Sequence, residues 1–381
     1  MFLEVLKKRN IELIDYTMHL HHQGLLLPDT YVIDLDSLLE NARMMKQRAD
    51  QLGIDLLFML KQVGRNPYIA QKLMEIGYAG AVAVDFKEVQ TLMDHGIPLG
   101  NVGHLVQIPD AMLSRVLRYG VEEITIYSLE KLQRIQQIAK ELSIKQKVLL
   151  RVYEEGDILY ESQKAGFSLH ELSLILDDVS NMENVEICGV TTFPCFLFDE
   201  AAQELKPTHN AQTLLKAKDI LERYGIKQVV VNMPSASCIH TLPYIQELGG
   251  TQAEPGHALT GTTPYHQISR EPERPALLYL SEISHTFQGK SYAYGGGYYR
   301  RGHLQYALLG KQIVSVNEAD PSAIDYHIEL NTEECNVGNP VIMCFRTQIF
   351  VTRSDVAIVE GLHSSQPHIQ GIYDSQGRKK G

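Results

Sequence analysis

Apolar and polar positions follow two different periods along this chain, and the order in which the periods occur predicts its architecture. Between residues 55 and 255, short apolar runs typical of buried strands alternate with longer segments whose apolar positions recur at helical spacing. The strand-like runs lie at 55–60, 80–84, 101–106, 123–127, 148–152, 185–191, 228–232 and 250–255. Strands that alternate with crossover helices form a parallel sheet, so these segments predict eight βα units.

Eight such units within the ~250 residues typical of the class favour a closed (β/α)8 barrel of the TIM type over an open doubly wound sheet. A doubly wound sheet that binds a dinucleotide would carry a GxGxxG motif after its first strand, and this motif is missing from the sequence there. A further strand-like run at 31–35 is one too many for the barrel. We expect it to join a different sheet, and the β-domain described next is the candidate.

The segments on either side of the barrel have patterns of their own. Residues 1–28 predict an amphipathic helix and a connector, which we interpret as an N-terminal helical extension. From 265 to 363, strand signals without crossover helices predict a smaller, mostly antiparallel β-domain. The barrel is thus predicted to span 29–264. Residues 364–381 are rich in Ser, Gln, Gly and Lys and predict a loosely ordered tail.

Composition agrees with two folded domains and excludes several classes of protein. At 381 residues the chain exceeds the ~250–300 residues that surround a single core. Its net charge of -11 gives no basic surface for nucleic acid, and no stretch approaches the ~18 apolar residues of a membrane span. The N-terminus lacks the pattern of a signal peptide, so we expect a cytoplasmic protein. The five cysteines form no CxxC pair and no HExxH is present, so no metal site is expected.

Lys61 lies where a (β/α)8 barrel places its chemistry, just beyond the first predicted barrel strand in the segment FMLKQVGRNP. Functional groups of such barrels sit at the carboxyl ends of the strands. A lysine at the mouth of a buried strand is partly dehydrated, which favours the neutral amine that Schiff-base chemistry requires. A surface lysine that merely ends a strand would give the same local pattern, so the other strand ends have to decide.

The later strand ends carry further polar and aromatic candidates. The loop after the fifth strand contains KAGF, the sixth strand ends in GVTTFPCF, the seventh in VNMPSASC and the eighth in AEPGHALTG, while YAYGGGYYRRG lies in the β-domain. Together with FMLKQVGRNP, these segments resemble the motifs of the fold-type III pyridoxal-phosphate enzymes, which comprise the alanine racemases and the eukaryotic-type amino-acid decarboxylases. The resemblance extends from residue 30 to beyond residue 359 and is greatest to the YhfX branch of that family.

This resemblance implies that pyridoxal 5'-phosphate is the cofactor and that Lys61 holds it as a Schiff base, although the family's Lys-Ala-Asn continuation is absent. Arg65 takes the position of a phosphate-binding tyrosine, and a guanidinium fork matches phosphate. VNMPSASC resembles the family's phosphate loop, so Ser235 or Ser237 is expected to bind phosphate at the N-terminus of the next helix, and we favour Ser235. Service as a helix N-cap is the alternative for either serine.

Glu254 is the most informative departure from the racemases, which carry an Arg at the corresponding place. The decarboxylase relatives have Glu there, and a carboxylate beside the pyridine nitrogen favours its protonated form and hence a stronger electron sink. The resemblance also makes Gly256 and His257 cofactor-binding residues, because a glycine lets the backbone approach the phosphate closely. Phe193 takes the place of a histidine that stacks on the cofactor ring, with plain barrel core as the alternative.

Tyr294, in YAYGGGYYRRG, matches the tyrosine that in racemases reaches across a dimer to act as the second base, opposite the lysine. Racemisation needs two such bases, because one removes the Cα proton and the other returns a proton from the far side. The match therefore implies a homodimer, whereas a β-bulge with surface aromatics is the alternative. Lys164, in KAGF, matches a family arginine that steadies this tyrosine or the substrate carboxylate.

The sequence thus predicts a pyridoxal-phosphate-dependent amino-acid racemase or epimerase that abstracts the Cα proton. Glu254 leaves open a decarboxylase or another Cα-bond lyase of the same fold, because those reactions exploit a strong electron sink. A protein that binds the cofactor without catalysis is a third reading. All three readings predict a small-molecule partner and no binding to nucleic acid or membrane.

Overall fold

Two compact units make up the computed structural model, which describes residues 1–268, 271–320, 322–332, 335–364 and 366–380. The first unit comprises residues 1–43, 61–69 and 257–381, and the second comprises 44–60 and 70–256. Each unit contains a large sheet of its own.

The sheet of the second unit is a closed parallel barrel. Its strands, among the described residues, are β2 (Asp55–Phe58), β3 (Gly80–Val82), β4 (Leu99–Val102), β5 (Val121–Ile126), β6 (Gln146–Tyr153), β8 (Val185–Thr191), β11 (Val230–Asn232) and β12 (Gln252–Ala253). They follow one another around the ring in this order, and β12 pairs with β2 to close it. The predicted eight-strand (β/α)8 barrel is therefore confirmed.

Several of the helices that connect the barrel strands begin at a side chain that caps them. Asp85 accepts hydrogen bonds from the N–H groups of Lys87 and Glu88, and Ser168 forms a capping box with Glu171. The helices are α3 (Leu35–Leu52), α4 (Pro67–Ile76), α5 (Phe86–Asp94), α6 (Asp110–Tyr119), α7 (Leu129–Glu141), α8 (Leu169–Val179), α9 (His209–Arg223) and α10 (Leu242–Glu247). Their apolar residues recur at helical spacing, as the sequence predicts.

Two features of the barrel loops were not predicted. A two-residue strand, β7 (Phe167–Ser168), pairs with β6, and a hairpin of β9 (Phe196–Asp199) and β10 (Glu204–Pro207) follows β8. The Asp199 carboxylate accepts hydrogen bonds from two backbone N–H groups of the hairpin turn. This local bonding to the backbone is what favours a turn over a helix at an aspartate.

The sheet of the first unit is mostly antiparallel. Its strands are β1 (Thr30–Asp34), β13 (Leu277–Phe287), β14 (Lys290–Tyr294), β15 (Tyr306–Leu309), β16 (Gln312–Ser315), β17 (His327–Leu330), β18 (Pro340–Met343), β19 (Asp355–Glu360) and β20 (His368–Asp374). The run at 31–35 that did not fit the barrel is β1, which pairs antiparallel with β13 and parallel with β19. The predicted antiparallel β-domain is confirmed as a separate sheet.

The N-terminal extension forms two helices, α1 (Phe2–Arg9) and α2 (Ile11–His22), where the sequence predicts one. Asn10 separates them because its side chain caps α2 and donates hydrogen bonds to Asp34 at 2.8 Å and to the carbonyl of Pro275 at 2.9 Å. Apolar side chains of both helices pack on the antiparallel sheet of the same unit, with Leu6 and Leu13 completely buried. The extension is thus part of the core of this unit.

The tail differs from the loosely ordered segment that its composition predicts. His368–Asp374 forms β20, which pairs antiparallel with β19. The chain then turns back, and the N–H of Lys380 donates to the carbonyl of Ile372 at 2.7 Å. Backbone hydrogen bonds and the burial of Tyr373 order this segment although few of its side chains are apolar.

Within the described ranges, none of the helices combines the length and the apolar character that crossing a bilayer requires. The same ranges contain no cluster of His, Cys, Asp and Glu side chains that could hold a metal ion. All five cysteines lie in the described ranges and carry free thiols outside any disulfide bond, and all except Cys335 are buried. They behave as small apolar side chains.

Candidate active site

Polar side chains occupy part of the barrel interior, which in this fold is normally filled by Val, Ile and Leu. None of them is more than 6% exposed: Asn101, Glu123, Thr125, Thr191, Asn232, Gln252 and Glu254. Burying an amide or a carboxylate costs free energy unless it is hydrogen-bonded. The bonds that these groups make therefore define the chemistry of the barrel interior.

Glu254 follows the last residue of β12 and is held by one hydrogen bond to its side chain and one from its backbone. Its Oε1 accepts a hydrogen bond from Nδ2 of Asn232, at the end of β11, at 2.9 Å. The Oδ1 of Asn232 accepts in turn from the hydroxyl of Thr191, at the end of β8, at 2.7 Å. The N–H of Glu254 donates to Oγ of Ser237 at 3.1 Å. Three neighbouring strand ends thus fix one buried carboxylate.

Lys61 follows the strand that neighbours β12. The backbone pairing of β2 with β12 continues beyond both strands, because the N–H of Met59 donates to the carbonyl of Pro255 at 3.0 Å. Lys61 comes two residues later and opens a short 3-10 turn, Lys61–Val63. The carbonyl of Gln62 in this turn accepts a hydrogen bond from the hydroxyl of Thr347 at 2.9 Å. The turn that carries Lys61 is therefore anchored, and the lysine side chain is half-buried.

His257 belongs to the same unit as Lys61 and is affected by its charge. Burial lowers the pKa of His257 well below its ordinary value, and the positive charges of Arg346 and Lys61 lower it further. Its Nδ1 lies 3.3 Å from the hydroxyl of Thr262. The imidazole is therefore neutral at neutral pH, so it can accept or donate a hydrogen bond without adding charge next to the lysine.

Arg65 is 2% exposed and adopts a left-handed backbone conformation with φ of 53°. Its guanidinium donates to the side chain of Gln376 and lies 4.9 Å from the centre of the Phe350 ring. These contacts tie the loop after Lys61 to the chain's C-terminal region within one unit. A guanidinium has five N–H donors, so the predicted phosphate contact would add to these bonds.

The loop that contains Ser235 and Ser237 differs from the sequence prediction in one respect. The next helix, α10, begins at Leu242, so neither serine lies at its N-terminus. The hydroxyl of Thr241 accepts from the N–H of Cys238 at 2.9 Å and donates to nearby carbonyls, which makes a turn where the first helical turn was expected. The phosphate role of the two serines stays a prediction, now without the support of a helix terminus.

Both serines form hydrogen bonds to neighbouring segments of the barrel unit. Ser235 donates to the carbonyl of Phe196 at 2.6 Å, and Ser237 accepts from Glu254 as described above. Ser235 and Ala236 have positive φ values of 93° and 52°. Adjacent left-handed residues other than glycine cost about 1–3 kcal/mol each, and strain of this kind is concentrated at functional sites.

Phe193, Lys164 and Tyr294 have contrasting surroundings. Phe193 is half-buried among aromatic rings, with His104 edge-on at 6.1 Å and Tyr160 at 5.7 Å between ring centres. The Lys164 side chain is 59% exposed and its ammonium pairs with Glu161 at 2.7 Å. Tyr294 ends β14 and is 40% exposed. An exposed tyrosine has the accessibility that contact with a second protomer requires.

Comparison with known proteins agrees with this architecture. Residues 33–264 match the family described as "Alanine racemase, N-terminal domain", and residues 278–369 match "YhfX-like, C-terminal domain". The chain belongs to the alanine racemase N-terminal domain family. The Uncharacterized protein YhfX of Escherichia coli (strain K12) is a relative that is 46% identical over 387 residues, which span 100% of both chains. The resemblance inferred from the sequence motifs is thus confirmed.

Solved structures of proteins with different names show the same fold. An alanine racemase of Clostridium difficile 630 in complex with cycloserine has a TM-score of 0.65 at 18% identity, covering 91% of this chain and 98% of its own. D-threonine aldolase from Filomicrobium marinum has a TM-score of 0.68 at 13% identity, covering 92% and 94%. D-threo-3-hydroxyaspartate dehydratase from Delftia sp. HT23 gives 0.64 at 16%, covering 88% and 95%.

The strand-end motifs led to Glu254 but not to most of the side chains that support it. Gln252 and Glu123 were not recognised from the sequence, and Asn232 and Thr191 were noted only as strand ends. A usable signal was present, because Gln252 and Glu254 lie two residues apart, as do Glu123 and Thr125, which places each pair on one face of its strand. Polar residues at alternate positions of a buried strand are the pattern to look for in this family.

Proposed function

We propose that this protein is a pyridoxal-phosphate-dependent enzyme that acts at Cα of a free amino acid, and that its reaction is racemisation or epimerisation. The observation that carries the proposal is the buried carboxylate of Glu254, which follows β12 and accepts a hydrogen bond from Asn232 at the end of β11. The neighbouring strand, β2, leads directly into Lys61. This pair of strand ends supplies an amine and a fixed anion.

The donor set fits pyridoxal phosphate on chemical grounds. Lys61 is an amine that can bond to the cofactor aldehyde, and Glu254 is an anchored acceptor for a protonated pyridine nitrogen. The backbone of the strained loop at Ser235 and Ser237, together with Arg65, would hold the phosphate. Gly256 and His257 are the other cofactor contacts in this proposal, and Phe193 would lie against the ring. When bound, the cofactor supplies an electron sink for the pair left at Cα when a bond there breaks.

Each of the protein's own residues has a separate role in the proposed reaction. Glu254 accepts a hydrogen bond from the ring nitrogen and keeps it protonated. Lys61 takes the Cα proton on one face, and Tyr294, contributed by one protomer to the barrel of its partner, exchanges a proton on the other. Lys164 would pair with the substrate carboxylate in this homodimer, at the expense of its present bond to Glu161.

A Cα-bond lyase or decarboxylase is the second candidate, and Glu254 is the observation that favours it. A carboxylate at the ring nitrogen strengthens the electron sink, which decarboxylation and aldol cleavage exploit. Structural relatives with the names aldolase and dehydratase also occur in this fold. A binder of the cofactor without catalysis is the third candidate.

Cofactor binding is tested by covalent trapping. The purified wild-type protein is expected to absorb in the visible region, because the Schiff base of this cofactor is a conjugated chromophore. Borohydride should bleach this absorption and add the mass of the reduced cofactor to the peptide that contains Lys61. Lys61→Ala should show neither effect, because the amine that forms the bond is missing.

Lys145→Ala is the matched control for this experiment. Lys145 is an exposed lysine, 60% accessible, whose ammonium pairs with Glu186 at 3.1 Å. This variant should label like the wild type. Equal spectra and equal labelling of wild type and Lys61→Ala would rule out Lys61 as the cofactor-binding residue.

The type of reaction is tested with a panel of D- and L-amino acids in deuterated water. Racemisation predicts that deuterium enters at Cα, that optical activity is lost, and that no carbon dioxide or aldehyde is released. Measurement by NMR and by trapping of carbon dioxide separates these results. Carbon dioxide without deuterium exchange into recovered substrate would replace the racemase by the decarboxylase. Labelled Lys61 without turnover of any amino acid would support the third candidate.

A further inference from the structure

A chain of hydrogen bonds crosses the barrel interior between two buried carboxyl groups, Glu123 and Glu254. Glu123 lies on β5, which is directly opposite β12 in the ring, since three strands separate them on either side. Nε2 of Gln252 donates to Oε2 of Glu123 at 3.2 Å. Oε1 of Gln252 accepts from Nδ2 of Asn232 at 2.7 Å, and the same Nδ2 donates to Glu254. Two amides thus join the two carboxyl groups in series.

The two amides in this hydrogen-bond network are oriented so that each donor meets an acceptor. Gln252 turns its amine toward Glu123, which leaves its carbonyl for Asn232. Asn232 therefore turns its amine toward both Gln252 and Glu254, and its carbonyl accepts from Thr191. An ionised carboxylate can only accept, and bonds to a charged acceptor are about twice as strong as neutral ones. The charge of Glu123 favours the orientation that donates to Glu254.

Loss of the charge on Glu123 removes this bias. A protonated carboxyl group can donate to the carbonyl of a turned Gln252, whose amine then faces Asn232. With Asn232 turned as well, its amine meets the hydroxyl of Thr191 and its carbonyl meets Glu254. That second arrangement satisfies every group only if Glu254 is protonated and donates. The network therefore has two consistent states, in which the two carboxyl groups are ionised together or protonated together.

We propose that Glu123 is a positioning residue, which acts through Gln252 and Asn232 to keep Glu254 ionised and turned to accept a hydrogen bond. The role assigned to Glu254 rests on the proposed function, because there the accepted bond comes from the cofactor's ring nitrogen. In this proposal Glu123 acts on the cofactor only through these two amides. The coupling between the two carboxyl groups depends only on residues of the protein and does not require the cofactor.

The surroundings of Glu123 place its titration within the working range of an enzyme. Burial raises the pKa of Glu123 to about 7, with smaller contributions that raise it from Glu122 and Glu254 and that lower it from Gln252 and Lys147. Cys188, on β8, is a further neighbour: burial raises the pKa of its thiol, and the charge of Glu123 raises it further. Of the charges named here, that of Glu254 changes the pKa of Glu123 least. Direct repulsion between the two carboxylates is thus a small effect here.

The proposal and simple repulsion predict opposite results for Glu123→Gln. If repulsion dominated, removal of the charge on Glu123 would make Glu254 easier to ionise. The amide relay predicts the reverse, because the neutral side chain no longer favours the orientation of Gln252 and Asn232 that donates to Glu254. We expect the titration midpoint of Glu254 to rise by about one pH unit, which corresponds to tenfold in the ionised-to-protonated ratio.

The measurement uses the cofactor-free full-length protein with ¹³C-labelled glutamate carboxyl groups, whose NMR shifts are followed against pH. The Glu254 signal is identified by its absence in Glu254→Gln. Glu122→Gln is the matched control: Glu122 is the adjacent, exposed carboxylate on β5, which pairs with Lys147. Because the charge of Glu122 raises the pKa of Glu123, this control favours the ionised state of Glu123 and should not raise the Glu254 midpoint. A fall or no change of the Glu254 midpoint in Glu123→Gln would overturn the proposal.

Gln252→Met supplies the second variant, because it breaks the relay and leaves both carboxyl groups in place. Relay action predicts that Gln252→Met alone raises the Glu254 midpoint and that Glu123→Gln then adds no further rise. An additive effect of the two changes would overturn the proposal, and Gln252→Met tests it alone if Glu123→Gln does not fold. Because no cofactor is present, this result is independent of whether Lys61 is labelled by borohydride.

Discussion

Replacement of Lys61 by alanine is expected to lower kcat/KM for the amino-acid substrate by about 10⁴-fold or more. The change removes the amine that binds the cofactor and also one of the two groups that exchange the Cα proton, and a positioned base alone contributes about 10²–10⁴-fold. Turnover is measured with the amino acid that reacts best in the deuterium panel. Lys145→Ala, which removes an exposed lysine with a surface ion pair, should retain wild-type turnover.

Lys61→Arg separates the chemistry of the amine from its charge. A guanidinium keeps the positive charge but stays protonated and forms no Schiff base, so turnover should be lost as in Lys61→Ala. The charge of Lys61 is one of the causes that lower the pKa of His257. NMR titration should therefore give a higher pKa for His257 in Lys61→Ala than in Lys61→Arg. Substantial turnover in either variant with unchanged unfolding temperature would show that another residue carries the chemistry.

The barrel was predictable because each βα unit has a recognisable local sequence pattern. The strand expected at 185–191 is Val185–Thr191, and the helical segment expected before it is Leu169–Val179. Both segments have closely spaced apolar residues. The helix also begins after a serine that is followed three residues later by a glutamate, and these two residues form its capping box. Where pattern and cap agree, the local sequence determines the element.

Elements that depend on distant partners were not predictable in this way. The strand His368–Asp374 was expected to be part of a loose tail, because its segment is rich in polar residues and glycine. It is a strand because β19 offers an unpaired edge, and hydrogen bonds to that edge satisfy its backbone. Such pairing depends on backbone groups, which every residue type carries, so composition does not reveal it.

The residues of the candidate site were likewise predictable only where a local sequence pattern identifies them. Lys61 and Glu254 were identified because each follows a predicted barrel strand, and strand ends are where this fold places its chemistry. The bond between Gln252 and Glu123 joins residues 129 positions apart, on opposite strands of the ring. No local pattern specifies such a pair. The expected helix N-terminus at Ser237 failed for a similar reason, because bonds of the Thr241 hydroxyl displaced the start of the helix.

Gly189→Ala is expected to destabilise the protein by about 3 kcal/mol or more, which is at or above the upper end of the usual cost of overpacking. Gly189, on β8, pairs with Val230 on β11, and a Cβ at this glycine would lie 2.0 Å from the carbonyl oxygen of Val230. Backbone of a paired strand cannot rotate away as a side chain can. Chemical denaturation of the variant should show a lower midpoint than the wild type, or the protein should fail to accumulate in folded form.

The same substitution should reach the candidate site, because β11 ends in Asn232. Any shift of β11 away from Gly189 moves the amide that donates to Glu254, so a folded fraction of Gly189→Ala should bind the cofactor less well than its stability alone explains. Gly371→Ala is the matched control: its Cβ would meet the side chains of Lys379 at 3.0 Å and Tyr373 at 3.1 Å, and no backbone atom within that distance. Because side chains can shift where a paired strand cannot, that control should destabilise the protein clearly less than Gly189→Ala does. Equal stability of the two variants would show that the strands at Gly189 separate freely, contrary to their close pairing.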